Sequence, residues 1–390
     1  MATAAAAAAI TALIAGCGSA TAGSPASPAS PDDRGSALPL AAATSTGQGT
    51  WGIVEMGGSA ASENNFWQLF TRPAGSTRWS LVTPPGVADN GGMAMAPAGT
   101  QSLAVGFQPS QDLRFSPLAT TADGGRTWSS GVLDAGLDSV PDSLAVASGS
   151  GRELALLTTG SINQAAAGGA SWSTLAAAGS VAASPGGKNC ALGSLDAVAV
   201  SPAGAPLAAG GCGHAGVAGI FRYSGGTWQA ASPVMPGSVA KDQVKVLRLT
   251  STATGNIAVL LAGGSLFAAW TGDGGGHWTL SPPLPINDGD VASAAFGPAS
   301  GAGAGGQGHG GAVGVLLTDG RASTISGPGS AWQSQPATPP DTAVLAFPQA
   351  GPLEALAAKG STLTVWQLAA AGKWTSTQTI KVPIAYGSSG

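Results

Sequence analysis

The amino-acid sequence predicts an all-β protein built from seven similar units of about four strands each. Three observations carry this prediction. Tryptophans recur in related surroundings, short apolar runs lie between them, and the chain holds 62 glycines and 27 prolines in 390 residues. Such a composition is typical either of low complexity or of many short strands joined by turns. The 11 tryptophans favour strands, because disordered chains are poor in aromatic residues.

The first segment of the chain predicts export. Residues 1–17 form a weakly apolar run that ends in Leu13-Ile14-Ala15-Gly16-Cys17, about as long as the apolar region of a signal peptide and too short to span a bilayer. The run resembles a bacterial lipobox, which implies that Cys17 is lipidated. An ordinary cleaved signal peptide, with Cys17 incidental, is the alternative.

The second segment, residues 18–46, is rich in Pro, Ser and Ala and predicts a flexible tether. We therefore expect the folded domain to occupy residues 47–390. Lipid, tether and domain in this order are the layout of a surface lipoprotein, so the expected location is the extracytoplasmic face of the cell membrane.

Seven tryptophans mark the repeat that fills the rest of the chain. They are Trp79, Trp128, Trp172, Trp228, Trp278, Trp332 and Trp374. Their spacing of 42 to 56 residues indicates a propeller or a solenoid, and the absence of a sustained 3.6-residue apolar period argues against helical repeats. Four short strands per unit predict a seven-bladed β-propeller.

The second unit illustrates the predicted strands. Residues 91–97, 101–108, 113–122 and 127–133 are short runs bounded by turn residues. The first unit shows only three obvious strands. We therefore expect Val382–Tyr386, near the end of the chain, to supply its inner strand and close the ring, which would remove an open sheet edge.

Two of the turns resemble the Asp-box (BNR) repeat, whose pattern is S/T-x-D-x-G-x-T-W. The matching residues are Asp123, Gly125, Thr127 and Trp128 in one turn, and Asp273, Gly275 and Trp278 in the other, with His277 in the threonine position. The other five units keep the glycine and tryptophan but lack the aspartate. The resemblance implies a propeller and says little about function, because Asp boxes occur in sialidases, sortilin-like receptors and photosystem-assembly lipoproteins.

The aspartate of the box is expected to hold the turn rather than to catalyse. The Asp123 carboxylate can accept hydrogen bonds from N–H groups of the turn, and Gly124 and Gly125 permit positive φ. Trp128 is expected to fill the gap between neighbouring sheets.

The two remaining cysteines, Cys190 and Cys212, flank strands of the fourth unit. In an exported protein disulfides persist, so we predict a bridge between them, worth roughly 3 kcal/mol in the chain-entropy model. Two free thiols are the alternative.

No motif predicts catalysis, a cofactor or a metal. His214, His277 and His309 stand far apart, and Asp288 and Asp290 lack the ligand series of a calcium loop. No basic stripe predicts nucleic-acid binding. A sialidase needs a tyrosine nucleophile and an arginine triad, yet the only tyrosines are Tyr223 and Tyr386. The motif at Phe70–Gly75 is only faintly similar to the arginine motif of sialidases.

The resulting hypothesis is a non-catalytic envelope lipoprotein that binds a protein or glycan partner. Two alternatives stay open: a sialidase-like or other glycoside hydrolase, and an assembly factor for a membrane protein complex.

Overall fold

The structure is a computed structural model that describes residues 42–57, 66–83, 93–98, 102–107, 117–132, 143–147, 151–157, 159–166, 171–286, 291–298 and 310–383. All of these belong to one unit, Gly35–Gly390. The predicted signal peptide with Cys17 lies outside the described residues, as do Asp288, Asp290, His309 and Tyr386.

The described residues form strands that fall into seven consecutive groups of four. The first two groups are β1 (Ala42–Thr46), β2 (Gly49–Met56), β3 (Phe66–Pro73) and β4 (Ser80–Leu81), then β5 (Met93–Ala98), β6 (Ser102–Phe107), β7 (Pro117–Thr121) and β8 (Ser129–Val132). The third and fourth are β9 (Ser143–Val146), β10 (Arg152–Leu156), β11 (Ile162–Ala166) and β12 (Ser173–Ala176), then β13 (Leu192–Val200), β14 (Pro206–Cys212), β15 (Gly219–Ser224) and β16 (Thr227–Ala230).

The last three groups continue the pattern. The fifth contains β17 (Val244–Ser251), β18 (Asn256–Ala262), β19 (Ser265–Thr271) and β20 (Thr279–Leu280), with the short β21 (Leu284–Pro285) also paired to β19. The sixth is β22 (Val291–Phe296), β23 (Val313–Leu317), β24 (Ala322–Ile325) and β25 (Gln333–Ser334), and the seventh is β26 (Thr342–Ala346), β27 (Glu354–Lys359), β28 (Thr362–Leu368) and β29 (Trp374–Lys381).

Strands within each group pair antiparallel in chain order, so each group is a meander with its first strand at one side. We call these first strands the inner strands. Parallel pairing of β1 with β22, in which Ala42 faces Ala294, joins the first and sixth groups into one eight-stranded sheet. The strands of the second group agree with those predicted from the sequence.

The inner strand of the first group differs from the prediction. It is β1, which lies in the predicted tether, and not Val382–Tyr386. The sheet therefore begins at or before Ala42 rather than at Gly47. Of the expected closing segment only 382–383 are described, and there Val382 N–H bonds the Ser361 carbonyl at 2.8 Å, beside β28.

The segment Ala42–Thr46 looks like linker because its residues are small. Its threonines explain the strand: Thr44 and Thr46 are buried, and β-branched side chains suit a pleated surface. The Thr46 hydroxyl also accepts a hydrogen bond from the Trp51 indole N–H at 3.2 Å.

Two short helices, α1 (Ala178–Ala183) and α2 (Pro185–Cys190), precede the fourth group. They were not predicted, because six residues are too few to show an apolar period. Ser184 caps α2 by accepting the Gly187 N–H at 3.1 Å, and Pro185 occupies the first helical position, where its missing N–H costs nothing.

The core lies between the sheets. Buried aliphatic side chains of neighbouring groups form the clusters, as where Ile53 and Leu69 of the first group meet Met93 and Leu103 of the second, with Trp128 packed against them. This is the place that the sequence predicts for Trp128. The tryptophans Trp172, Trp228, Trp278, Trp332 and Trp374 pack in the same way into the other clusters.

Indole N–H groups also tie successive groups together. Trp278 bonds the Ala231 carbonyl at 2.7 Å, Trp332 the Pro282 carbonyl at 3.0 Å, and Trp374 the Pro336 carbonyl at 3.3 Å. In each case a tryptophan that opens or precedes the fourth strand of one group reaches the end of the preceding group.

Candidate functional site

The inner strands β1, β5, β9, β17 and β22 converge on one cavity, which we call the inner-strand cavity. Its volume is about 60 Å³. The residues that line it are Ala42, Ala43, Thr44, Met93, Ala94, Met95, Pro97, Ser143, Leu144, Arg248, Leu249, Thr250 and Phe296. Clefts where several elements converge are the usual place for ligands on rigid scaffolds.

Arg248 is the one charged residue among those that line this cavity. It follows a β-bulge in which Leu247 is an extra residue of β17 relative to β18, and such bulges re-aim neighbouring side chains. Arg248 is partly exposed, and burial lowers the pKa of its guanidinium to about 10. The group therefore stays protonated at neutral pH, in surroundings that disfavour its charge.

Three hydroxyl residues, Thr44, Ser143 and Thr250, add polar groups to the cavity wall. The Ser143 hydroxyl accepts the Val198 N–H at 3.1 Å and keeps its own O–H as a donor. This bond also fixes β9 against β13, so the cavity wall is held by contacts between adjacent sheets.

The described residues that line the cavity offer one guanidinium and three hydroxyl groups. None of the described residues that line it is a carboxylate, a histidine or a tyrosine.

A second cavity, of about 110 Å³, lies between the first and seventh groups. Arg72 on its wall belongs to the segment Phe70–Gly75 that faintly resembles a sialidase motif. Its guanidinium is buried and paired with Glu354 at 2.7 Å, and its other N–H groups bond the Ser76 and Ala350 carbonyls. Arg72 thus joins two sheets.

Glu354, on β27, is the centre of this buried network. Its side chain is fully buried and accepts from Arg72, from the Trp79 indole N–H and from the Gln367 amide, each at 2.7 Å. The last group is therefore tied to the first through the side chains of Arg72, Trp79 and Glu354. Sequence reasoning missed this network, because its members lie some 280 residues apart.

The aspartates of the two predicted boxes lie in turns, away from the inner-strand cavity. Asp123 Oδ1 accepts the N–H groups of Arg126 at 3.0 Å and Thr127 at 2.9 Å, and Oδ2 accepts the Thr127 hydroxyl at 2.6 Å. The hydroxyl bond from Thr127 is the main cause that lowers the pKa of Asp123 to about 2. Gly124 and Gly125 have positive φ, 77° and 86°.

The second turn repeats this geometry with a histidine. Asp273 Oδ1 accepts the N–H groups of Gly276 and His277 at 2.8 and 2.9 Å, and His277 Nδ1 lies 2.6 Å from Oδ2. Burial opposes ionisation of Asp273, but the bonds from the His277 N–H and ring outweigh it and lower the pKa. Gly275 N–H bonds the Thr271 hydroxyl at 3.0 Å.

The predicted disulfide is confirmed: Cys190 and Cys212 are bonded, with their Cα atoms 5.0 Å apart. The bridge ties the end of α2 to the end of β14. Both cysteines belong to the cluster between the third and fourth groups.

The remaining candidate residues stay apart. Tyr223 packs against Trp228, with ring centroids 5.2 Å apart, and does not line the inner-strand cavity. His214 bonds the Asn189 carbonyl at 2.7 Å. Within the described ranges, no three His, Cys, Asp or Glu residues cluster as metal ligands, and no described helix is long and apolar enough to cross a membrane.

Comparison with known proteins identifies the fold but no family. No family model matches the chain, and no curated protein matches it. Among solved structures it resembles a GH74 xyloglucanase from Xanthomonas campestris, with a TM-score of 0.55 and 14% identity over 88% of this chain and 54% of the enzyme. The chain thus spans about half of that enzyme.

Two further structures match with lower TM-scores. YCF48 bound to D1 peptide has a TM-score of 0.45 and 15% identity, over 85% of this chain and 90% of that protein. A periplasmic gluconolactonase from Pseudomonas aeruginosa has 0.48 and 17%, over 85% and 95%. The likeness to the xyloglucanase supports the predicted all-β propeller fold; at such identities it carries no activity to this chain.

Proposed function

We propose that this protein is a non-catalytic binding protein of the cell envelope that holds part of a partner in the inner-strand cavity. The observation that carries the proposal is the cavity itself. Five inner strands converge on it, its described wall offers one arginine and three hydroxyl residues, and that wall holds no carboxylate. A rigid scaffold with a shaped, polar site meets the needs of binding.

The scaffold in this proposal is a closed ring of seven blades with degenerate Asp boxes. Seven groups of four strands support it. The contacts of the tryptophans support it further, because each described tie joins one group to the preceding one, and Trp79 of the first group bonds Glu354 of the seventh. These contacts run in order from the fourth group through the seventh to the first.

Attachment to the membrane through Cys17 is part of the proposal and rests on the sequence. The lipobox-like ending and the Pro/Ser/Ala-rich segment support it, as does the Cys190–Cys212 disulfide, because such bridges persist in exported proteins. The partner in this setting is another envelope protein or a glycan.

A site-resolved crosslinking experiment tests binding at the cavity. A photoreactive amino acid replaces Met95, which lines the cavity, and in a matched control it replaces the exposed Thr375 of β29. After irradiation with envelope extract, we expect adducts of one defined partner at Met95 and none at Thr375. Equal labelling at both positions would contradict binding at the cavity.

Hydrolysis assays on sialosides, aryl glycosides and xyloglucan run beside the crosslinking. We expect no turnover by the full-length protein. Turnover that disappears in a Tyr223→Phe variant would replace the binding proposal with the sialidase-like alternative.

A further inference from the structure

We infer that one exposed surface, where α2 meets the connections of the fourth and fifth groups, docks on a bilayer that contains anionic phospholipids. We call it the Val234 surface, and it consists of Val234, Lys188, Lys241 and Lys245. The inference goes beyond the proposed function, because it concerns how the protein sits on a membrane and uses no residue that lines the inner-strand cavity.

The exposure of Val234 is the first argument. Val234 is the one large apolar side chain that is exposed among the described residues, at 91%. Its neighbours in the chain, Pro233 and Met235, are both buried, and a β-bridge to Val217 holds its backbone. The apolar side chain therefore projects from fixed backbone into solvent.

Contacts between segments hold the Val234 surface together. Gly216 N–H bonds the Asp242 carbonyl at 2.8 Å, and His214 N–H bonds the Cys190 carbonyl at 3.2 Å. The disulfide at Cys190 joins the same two segments covalently. The segments that carry the three lysines and the valine are therefore neighbours.

Charge is the second argument. Residues 177–191, 213–217 and 231–245 form the region, and Asp242 is the one acidic residue within them. The three lysines are exposed and form no ion pair among the described residues. The whole chain has the opposite balance, with 15 lysines and arginines against 19 acidic residues, so the region is locally positive.

The residue types favour a lipid surface over a folded protein partner. Lysine is strongly hydrated and is depleted from protein–protein interfaces, where arginine and aromatic residues are enriched. The three segments contain no arginine and no aromatic residue. At a bilayer, lysines stay in the hydrated headgroup layer, and an apolar side chain beside them reaches the boundary of the acyl chains.

The expected affinity is low for the surface alone. Each lysine near an anionic bilayer raises the affinity about fivefold, so three lysines and one valine give weak binding. In a chain that is already tethered to the bilayer, such a weak contact acts at a high effective concentration. The Val234 surface would then determine which side of the protein faces the bilayer.

Sedimentation with vesicles tests the inference. The full-length chain carries Cys17→Ser, so that no acyl chain contributes to binding. The vesicles contain either equal parts of phosphatidylglycerol and phosphatidylcholine or phosphatidylcholine alone. We expect stronger binding to the anionic vesicles, and this preference should fall as the salt concentration rises. The double variant Lys241→Gln, Lys245→Gln should bind the anionic vesicles about 25-fold more weakly.

The matched control is the double variant Lys373→Gln, Lys381→Gln. It removes the same charge from exposed lysines at or next to the ends of β29 and should bind like the parent chain. Val234→Asp should also weaken binding and leave the melting temperature unchanged, because the side chain is exposed. Equal losses in the two double variants would overturn the inference, as would equal binding to both kinds of vesicle.

A fluorescent amino acid that reports the polarity of its surroundings locates the contact. Placed at the exposed Ala215, it should emit at shorter wavelength when anionic vesicles are added, whereas at the exposed Thr375 it should not change. A change at Thr375 alone would overturn the inference, and so would an acidic protein segment that binds the Val234 surface in place of vesicles. Crosslinking at Met95 tests the proposed function separately, since no residue varied here lines the inner-strand cavity.

Discussion

Several charged side chains of this protein accept hydrogen bonds that hold turns or join neighbouring sheets. Asp123 gathers two N–H groups and a hydroxyl in a turn, and Glu354 gathers three donors between sheets. Only 9% of the residues are charged, and Arg248 is the one charged residue among those that line the inner-strand cavity.

Removal of the Asp123 carboxylate should lower thermal stability without affecting the inner-strand cavity. In Asp123→Ala the N–H groups of Arg126 and Thr127 lose their acceptor, so the melting temperature at pH 7 should fall. Thr127→Val removes only the hydroxyl donor and should cost less. Thermal melts of the three proteins measure this order, and a full-stability Asp123→Ala variant that no longer binds its partner would mean that Asp123 is functional.

The effect of Asp123 should depend on pH in a defined direction. Because the pKa of Asp123 falls from its ordinary value of 3.8 to about 2 on folding, its stabilising contribution is complete above about pH 4 and is lost as the pH falls toward 2. The difference in melting temperature between wild type and Asp123→Ala should therefore be constant from pH 7 to 5 and shrink between pH 4 and 2. A difference that grows in acid would contradict this account.

At the scale of elements, a strand could be predicted where its sequence is a short apolar run between turn residues. The second group was predicted from short apolar runs between turn residues, and β5 to β8 lie there. β1 was missed because Ala-Ala-Thr-Ser-Thr continues the small-residue composition of the preceding segment, and its role depends on partners in β2 and in the distant β22. α1 and α2 are too short to carry a period.

Arg248 could not be placed at the inner-strand cavity from the sequence for a related reason. It interrupts the apolar strand β17, which is a weak signal, and eight other arginines are scattered along the chain. Which residues of the inner strands face one cavity depends on how five strand groups meet and on the bulge at Leu247. Neither the meeting of the groups nor the bulge can be predicted from the sequence of one repeat.

The Cys190–Cys212 bridge should stabilise the element pair that it joins. It closes a loop of sequence separation 22 between α2 and β14, so its removal should cost roughly 3 kcal/mol in the chain-entropy model. Chemical unfolding of wild type and of the Cys190→Ala, Cys212→Ala double variant measures the loss. Peptide mapping without reduction should show the two cysteines linked, and two alkylatable thiols in exported protein would contradict the bridge.

At the scale of the whole molecule, the contact between the first and last groups should control cooperativity. Arg72→Met leaves the fully buried Glu354 without its cation, and breaking a buried pair on one side costs about 3–5 kcal/mol. Urea unfolding measures the loss. Arg321→Met, which breaks the exposed pair with Asp319, is the control and should change little; equal effects of the two variants would contradict a special role for the buried network.

The proposed lipid on Cys17 determines whether the protein is found in the membrane fraction or the soluble fraction. If Cys17 carries lipid, Cys17→Ser should move the protein from the membrane fraction to the soluble fraction, because stable attachment depends on more than one acyl chain. Mass spectrometry of the wild-type N-terminal peptide should show the acyl mass. Unchanged fractionation of the variant would contradict the lipoprotein proposal.

Integrity of the molecule should depend on β1 more than on the last residues of the chain. A protein that begins at Gly47 lacks β1, which exposes the backbone edge of β2 and of β22 together. Loss of β1 also exposes the side chains that pack against the buried residues Ala43 and Thr46. We expect a lower melting temperature and a broader unfolding transition than in a protein that begins at Gly35.

The matched truncation ends at Pro383 and removes residues 384–390. It should melt like the intact chain, because β29 ends at Lys381 and Val382 already bonds the Ser361 carbonyl. If the last residues supplied the inner strand of the first group, as the sequence alone suggested, this truncation would be the damaging one. A peptide spanning residues 38–48 can be added to the protein that begins at Gly47. We expect it to restore the unfolding transition by pairing with the free edges of β2 and β22. If it does not, β1 stabilises the protein because it is covalently joined to β2 and not because of its strand pairing.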